Sequence, residues 1–512
     1  MKTKKHKSIL NIGVTITYKM AVIAIGLLLP KMFITNYGSE INGLQASVKQ
    51  LFMYIALLEA GVGASTLQML YKPVSKEDYQ VANSYLSAAS YYYNKIGIVY
   101  FIVLAIMGGV YSLFIPINGL DRYYIFIYIL ISGTLIGINF FYIAKLKLVI
   151  NAEGDVYLIS GITMVTYIVS SIVKITLISR NVDIVIIEAL YLFINLCATA
   201  CYFLIAQKKY PWISFKEKPD YTCTEQRGSV LIHKITSVVF QNIDVLLLTI
   251  FCSLKIVSIY TMYKMIVNMV TSVIGAMSDS VHFIFGQKYN TENDEKKHQY
   301  RKIIDTYNVW FSAIAMGLYT VVYLMILPFL NIYTEGMDVN YIYEKIPLFY
   351  IVIEYLIVGR EAMMRTIDVA GHFRKTQWRA VIESIINVLA SVMCVNVFMN
   401  RYGEIGGLYG VLCGTIVALL YRTLDINFYA SKYILKRKAI KPIKIMITNL
   451  IIFLITINIF DKITININSY KQFILNGCWI TIAILGIYCG LQVVLYPEET
   501  RYIIKYINNR LN

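Results

Sequence analysis

Long apolar segments alternate with short polar connections along the whole chain. Each apolar segment holds about 20 residues, which is the length that an α-helix needs to cross the hydrocarbon core of a bilayer. The pattern predicts an all-α polytopic membrane protein with fourteen transmembrane helices. The predicted spans are residues 9–30, 44–66, 93–115, 123–144, 156–178, 184–206, 230–252, 257–284, 304–331, 343–367, 379–399, 406–430, 443–461 and 473–496.

Composition supports a membrane-embedded chain and excludes a single water-soluble core. Of 512 residues, 58% are hydrophobic and only 15% are charged, and the mean hydropathy is +0.60. These values are typical of polytopic membrane proteins. The eight cysteines form no CxxC pair and show no His/Cys spacing of a zinc site. We therefore expect packing cysteines, no metal and no cofactor.

The net charge of +17 raises the question of whether nucleic acid is a partner. The positions of the charges answer this question. Most of the 47 Lys and Arg residues fall in alternate connections and at both chain ends, as in a membrane protein with basic loops on one side. By the positive-inside rule this bias predicts that both termini are cytoplasmic. Basic cytoplasmic loops interact with anionic lipid, so membrane lipids are expected partners and nucleic acid is not.

Lysines recur at matching places in two halves of the chain. Lys19 and Lys49 lie in the first two predicted spans, and Lys234 and Lys264 each follow 215 residues later. A lysine at the centre of a membrane helix costs about 2.5 to 3.5 kcal/mol on insertion scales. Four of them in repeated positions therefore predict a buried, hydrated cationic site, and such a site is suited to an anionic cargo.

The repeat also predicts the domain organisation. Residues 150–155 resemble residues 367–372 at an offset of 217, close to the offset of the lysines. We expect two pseudo-symmetric six-helix bundles of the same orientation at 1–215 and 216–430, followed by two extra helices and a cytoplasmic tail at 431–512. Two parallel bundles can rock about a cleft between them, which is alternating access.

Small residues at helical spacing predict close helix contacts. Gly133 and Gly137 form one GxxxG pair, and Gly406, Gly410 and Gly414 form two more in series. Such spacing lets two helix backbones approach closely in a membrane. We expect these glycines to be packing points.

Five stretches of the chain resemble the polysaccharide flippases (Wzx-type) of the multidrug/oligosaccharidyl-lipid/polysaccharide (MOP) exporter superfamily. They are residues 36–44, 58–64, 241–244, 259–265 and 406–415, and their order and the fourteen-span layout extend the resemblance over nearly the whole chain. The resemblance implies a flippase that moves a polyprenyl-pyrophosphate-linked oligosaccharide from the inner to the outer leaflet of the bacterial cytoplasmic membrane. Its product would be capsule, O-antigen or another surface polymer, made with the polymerase and glycosyltransferases of the same pathway.

The four repeated lysines are the leading candidates for binding the pyrophosphate. A pyrophosphate carries about two negative charges, and ammonium groups offset the cost of removing those charges from water. Lys174 in span five is a further candidate. For Lys49, Lys174 and Lys234 the alternative is that the long side chain extends to the membrane interface.

Arg360 and Arg365 in span ten are further candidate ligands because a guanidinium group matches the geometry of phosphate. Glu361 and Asp368 are near them along the helix, so structural ion pairs are the alternative.

Asp244 and Glu59 are candidates for binding a coupling cation or proton, since buried carboxylates mark ion pathways. The alternatives are an ion pair between Asp244 and a lysine of the cavity, and a packing role for Glu59.

No Walker A loop, Rossmann glycine pattern or nucleophile elbow is present, so we expect no enzymatic activity. Three other functions remain open. A lipid II-type peptidoglycan precursor flippase would share the same layout. A cation or drug antiporter of the same superfamily would need an acidic cavity. A membrane glycosyltransferase or polymerase would need a carboxylate or histidine cluster on an outer loop.

Overall fold

The computed structural model describes the backbone of residues 2–59, 62–115, 117, 119–224, 227–289, 294–460 and 467–511. Within these ranges it contains seventeen α-helices and three short helical turns, and no strand. The helices are α1 (Lys2–Tyr37), α2 (Ser39–Ile55), α3 (Val62–Ser75), α4 (Tyr79–Phe114), α5 (Arg122–Phe141), α6 (Ile143–Ala152), α7 (Val156–Ile178), α8 (Ile184–Lys209), α9 (Arg227–Phe251), α10 (Leu254–Lys288), α11 (Asp294–Tyr333), α12 (Lys345–Val369), α13 (Phe373–Tyr402), α14 (Glu404–Tyr429), α15 (Ile440–Phe460), α16 (Tyr470–Leu495) and α17 (Pro497–Leu511). The short turns are Ala56–Glu59, Tyr221–Thr224 and Ala430–Ile434.

The prediction of an all-α, multi-pass membrane protein is confirmed. In the described residues, eleven helices are long and apolar enough to cross a membrane: α1, α4, α5, α7, α8, α10, α11, α13, α14, α15 and α16. The three other predicted spans fall on α2 with α3, on α9 and on α12. The described apolar stretch of α9 is Val238–Phe251. Helix α12 carries four charged residues in its interior, Glu354, Arg360, Glu361 and Arg365.

The second predicted span is not one continuous helix. Helix α2 ends at Ile55, a 3-10 turn covers Ala56–Glu59, and α3 begins at Val62. The apolar pattern does not show this interruption, because the residues on both sides of it are hydrophobic. A polar contact lies at the interruption: the Tyr93 hydroxyl of α4 donates a hydrogen bond to the Glu59 carboxylate at 3.2 Å.

The chain folds into two compact units, Met1–Lys255 and Ile256–Asn512. The first unit contains α1 to α9, and the second contains nearly all of α10 and the helices that follow. Helix α9 packs on α2 inside the first unit, where the Thr249 hydroxyl donates to Ser47 at 2.8 Å. The predicted bundle limits at 215 and 430 remain a prediction.

The sequence repeat has a counterpart in backbone structure. Helices α6 and α12 both end in a Schellman motif, with Gly154 at φ 73° and Gly371 at φ 67°. In each case the N–H after the glycine donates to the carbonyl five residues earlier, at 3.0 Å and 3.2 Å respectively. The left-handed conformation favours glycine, so both halves need it at this point.

The residue after each of these glycines also makes an equivalent contact. Asp155 accepts a hydrogen bond from the Tyr210 hydroxyl, which follows α8, at 2.7 Å. His372 lies 3.2 Å, Nδ1 to Oη, from Tyr429 at the end of α14. Both contacts connect the start of one helix to the end of the next. Burial and the charge of Asp155 raise the pKa of the Tyr210 phenol well above its usual range.

The predicted close packing at the glycines is confirmed. A Cβ at Gly406 would lie 2.1 Å from the Phe398 carbonyl oxygen, and a Cβ at Gly410 would lie 2.5 Å from the backbone of Val395. Helices α13 and α14 therefore pack backbone to backbone. In the first unit, a Cβ at Gly133 would lie 2.6 Å from Leu104.

Gly410→Ala should destabilise the protein, because its methyl group would collide with the backbone of α13. We expect the free energy of unfolding to fall by about 1 to 3 kcal/mol, as for other overpacked sites. Thermal unfolding in detergent measures this change. Gly486→Ala on α16 is the matched control, since a Cβ there has nothing within 4 Å. It should be neutral or gain about 0.5 to 1 kcal/mol of helix stability, and equal effects at the two sites would contradict the packing argument.

Candidate substrate-binding site

In the first unit, two of the predicted lysine ligands are exposed. Lys19 on α1 and Lys49 on α2 both have exposed side chains. The residue before Lys19, Tyr18, packs edge-on against Tyr167 of α7 with ring centroids 6.2 Å apart. The side chain of Lys234 lies outside the described residues.

Lys174 is held by groups of its own unit. Its ammonium lies 2.7 Å from Glu188 of α8 and 4.0 Å from the ring centroid of Tyr191. The same Glu188 oxygen accepts a hydrogen bond from Gln45 of α2 at 3.4 Å. These contacts join α2, α7 and α8, and a carboxylate and an aromatic face together satisfy the half-buried ammonium.

Glu59 lines a cavity of about 410 Å³ in the first unit. Tyr93, Asn139, Lys147 and Asn151 contribute the other main polar groups of its wall. Burial lowers the pKa of the Lys147 ammonium, and the negative charge of Glu59 opposes that effect. Glu59 is therefore in a polar environment with a cation close by.

Asp244 of α9 is buried, with 6% of its surface exposed. It acts electrostatically on Tyr54 of α2. Asp244 and Glu59 are thus in different surroundings within the same unit, and a coupling role for either one remains a prediction.

In the second unit, Lys264 lies against a cluster of tyrosines. Its ammonium donates to the Tyr260 hydroxyl at 3.1 Å and lies 5.2 Å from the centroid of that ring. Tyr263 and Tyr350 stack beside it with centroids 6.4 Å apart. The Tyr350 hydroxyl donates to the Tyr260 carbonyl at 3.2 Å and so ties α12 to α10. This wall holds Lys264 half-buried.

Arg360 belongs to a buried ion network that joins three helices. It contacts Glu383 of α13 at 2.7 Å, and Arg422 of α14 lies 3.3 Å from the second oxygen of Glu383. Arg422 also pairs with Asp425 at 2.9 Å, and Asp425 accepts from Arg379. Sequence reasoning expected neighbours on the same helix as partners of Arg360 and missed Glu383. A carboxylate inside an apolar span was the available signal.

Arg365 is held by two carboxylates. Its guanidinium lies 2.7 Å from Glu361 and 2.7 Å from Asp279 of α10, and it donates to Ser278 at 3.0 Å. The pairing with Glu361 follows the expected spacing along α12. Arg360 and Arg365 are therefore occupied in structural pairs, and a further role in phosphate binding remains a prediction.

Glu354 is another buried acid that the sequence analysis did not identify. Glu354 of α12 has 6% of its surface exposed and accepts a hydrogen bond from the Tyr319 hydroxyl of α11 at 2.7 Å. Like Asp244, it is an acidic residue inside an apolar segment, so the same rule could have identified it.

The fold of the chain is similar to that of several solved membrane transporters. No protein-family model and no curated protein sequence matches it. Among solved structures, the lipid II flippase MurJ in an inward closed conformation has a TM-score of 0.62 at 15% identity, covering 92% of this chain and 98% of its own. An inward-facing multidrug resistance transporter of the MATE family has a TM-score of 0.60 at 16% identity, covering 84% and 98%.

A MOP superfamily transporter from Pyrococcus furiosus, described by the reverse polarity of its binding pocket, has a TM-score of 0.51 at 16% identity and covers 84% and 95%. At such identities the similarity shows the fold alone. The resemblance to the MOP superfamily is thus confirmed at the level of the fold, and these neighbours are transporters and flippases. The polysaccharide flippase assignment remains a prediction.

Glu383→Gln should destabilise the second unit, because it removes the negative charge between the buried Arg422 guanidinium and the half-buried Arg360 guanidinium. Breaking a buried pair typically costs about 3 to 5 kcal/mol, so we expect a clear fall in the thermal unfolding temperature. Glu498→Gln on α17 makes the same chemical change at an exposed position and serves as control. An unchanged unfolding temperature for Glu383→Gln would show that the network contributes little.

Proposed function

We propose that the protein is a flippase that moves a polyprenyl-pyrophosphate-linked oligosaccharide from the inner to the outer leaflet of the bacterial cytoplasmic membrane. In this proposal the pyrophosphate binds to Lys19, Lys49, Lys234 and Lys264, the sugars occupy a hydrated cleft, and the prenyl chain stays in lipid. The cargo supplies a surface polysaccharide.

The observation that carries the proposal is the repeated lysine pattern in a chain with the MOP fold. Cationic side chains retained inside apolar helices are costly, so their repetition indicates a function. A diphosphate headgroup is the part of a lipid-linked sugar that cannot cross hydrocarbon unaided. Lys264 supports this assignment most directly, because its half-buried ammonium contacts the hydroxyl and the ring of Tyr260 in a cluster of tyrosines.

Pocket polarity also separates the proposal from a drug antiporter. Organic cations require an acidic cavity, whereas the ligands assigned here are lysines. The proposal places both termini in the cytoplasm, because the basic connections lie on their side. It also expects the polymerase and glycosyltransferases of the same pathway to act on the same lipid-linked cargo.

Transport by purified protein in vesicles tests the proposal against its alternatives. We expect translocation of a polyprenyl-pyrophosphate-linked oligosaccharide, measured by its accessibility to a sugar-modifying enzyme on the far side. Lipid II and a cationic dye are the comparison cargoes. Translocation of lipid II alone would favour a peptidoglycan precursor flippase, and dye extrusion alone would refute an anionic cargo.

Lys264→Ala and Lys19→Ala should each reduce translocation at least tenfold, since losing one charge-assisted contact to phosphate costs about 1.5 to 3 kcal/mol. Lys264→Arg keeps the charge and should retain part of the activity. Lys471→Ala at an exposed position on α16 is the matched control. Normal translocation by both alanine variants, with normal insertion, would rule out this site.

A further inference from the structure

Polar residues recur every seven positions on one face of α10. Lys264, Thr271 and Ser278 follow each other at this interval, which places them in one line because seven residues complete almost two turns. Successive positions lie about 10 Å apart along the helix axis. We call these three residues the polar seam. Its last two members contact both α11 and α12.

The carboxylate at the Ser278 level is neutralised by a cation. The Ser278 hydroxyl donates to Glu361 of α12 at 2.6 Å and accepts from Tyr307 of α11 at 2.9 Å. Arg365 pairs with the same Glu361 at 2.7 Å and also reaches the exposed Asp279. A serine, a tyrosine, a glutamate and an arginine thus form a complete charge-balanced set at this level.

The Thr271 level repeats the hydroxyl, the tyrosine and the glutamate without the arginine. Glu354 lies seven residues before Glu361 on α12, and it accepts from the Tyr319 hydroxyl at 2.7 Å. The Thr271 hydroxyl lies 3.4 Å from Glu354 and 2.9 Å from the Tyr319 hydroxyl. Glu354 takes part in none of the ion pairs within 4 Å that the described residues form, and Lys264 acts on it only at longer range.

Because the Thr271 level has no arginine among the described residues, Glu354 needs another cation to neutralise its negative charge. A carboxylate that is 6% exposed and held by hydroxyl groups has no full counter-charge at contact distance. Burial penalises its charged form, and two hydroxyl partners only partly offset that penalty. A proton can neutralise Glu354 as the arginine neutralises Glu361, and unlike a metal cation it needs no further oxygen ligands.

We propose that Glu354 is a proton-binding site whose occupancy is linked to anion binding at Lys264. The inference rests on the proposed function, in which Lys264 binds the pyrophosphate headgroup. The ammonium of Lys264 stabilises the Glu354 anion across the seam. When an anionic headgroup binds to Lys264 it offsets that positive field, and Glu354 takes up a proton.

The linkage has a definite sign. Because headgroup binding is accompanied by proton uptake, the affinity for the headgroup rises as the pH falls through the range in which Glu354 titrates. By reciprocity, protonation of Glu354 strengthens headgroup binding by the same factor. The maximum effect for one linked proton is about tenfold per pH unit.

Three charged groups on the helices that pack against α12 have ion-pair partners away from Glu354. On α14, Arg422 and Asp425 belong to the ion network of Glu383. On α15, Lys441 pairs with Asp305 of α11 at 3.2 Å. On α10 and α11, the groups that act on Glu354 are Lys264 through its charge, and Thr271 and Tyr319 through hydrogen bonds.

Calorimetric binding of a polyprenyl pyrophosphate without its sugar tests the linkage in lipid nanodiscs. We expect wild-type affinity to rise as the pH is lowered, with proton uptake seen as a dependence of the measured heat on buffer ionisation. Glu354→Gln, which imitates the neutral acid, should bind with an affinity that no longer depends on pH. Glu344→Gln, at the exposed start of the same helix, is the matched control and should behave like wild type.

Infrared difference spectra test the proton site without cargo. A carboxylic acid C=O band that is missing in Glu354→Gln should appear in wild type on acidification. Lys264→Ala should retain that band to higher pH, because the ammonium no longer stabilises the anion. Tyr319→Phe should shift it in the same direction by removing a donor to the anion. The infrared experiment still tests the proposal if Glu354→Gln folds poorly, because the shift of the band is measured between wild type, Lys264→Ala and Tyr319→Phe.

Three results would overturn the inference. They are a wild-type affinity that is flat with pH, a pH dependence that survives in Glu354→Gln, and a C=O band that does not respond to Lys264→Ala. If the headgroup binds but no proton is taken up, the proposed function stands and only the linkage fails. If the headgroup does not bind to wild type, the proposed function and the linkage fail together.

Discussion

The free energy required to remove charge from water is the constraint on which this structure depends. In the second unit, Arg422 has 4% of its side chain exposed, and it is tolerable there because Glu383 and Asp425 lie within hydrogen-bonding distance. In the first unit, Lys174 and Glu188 satisfy each other between α7 and α8. An unpartnered charge at such positions costs several kcal/mol, so the relative rotation and height of these helices are limited by the pairs.

The same constraint explains the surroundings of three cationic residues. Arg360, Arg365 and Lys174 each have a close carboxylate, and they hold helices together. Lys19 and Lys49 are exposed on their helices, and Lys264 lies on a tyrosine wall. Buried pairs add little stability over a hydrophobic contact of similar volume, whereas removing one partner of such a pair is strongly destabilising. The proposed function rests on the repeated lysines Lys19, Lys49, Lys234 and Lys264, and not on the residues of these ion pairs.

Local backbone structure repeats between the two halves of the chain, although composition alone does not require it. Two helix ends, at Gly154 and Gly371, carry the same left-handed glycine and the same capping hydrogen bonds. Each is followed by a polar residue that contacts a tyrosine at the end of the next helix. Such matched ends give α7 and α13 equivalent starting points. A second repeat lies inside one unit, where the Thr271 and Ser278 levels of the polar seam each combine a hydroxyl, a tyrosine and a glutamate. The two levels differ because Glu361 has an arginine partner and Glu354, among the described residues, does not.

The sequence by itself determined the helical, multi-pass class and the close packing at Gly406 and Gly410, because apolar length and residue size act locally. It also indicated that the spacing of Glu361 and Arg365 allows a pair within one helix. Only the tertiary structure decided that Arg360 pairs with Glu383, that the second predicted span is interrupted after Ile55, and that Glu354 meets two hydroxyl groups. Those contacts depend on how helices are rotated and aligned against each other, and neither composition nor periodicity records that alignment.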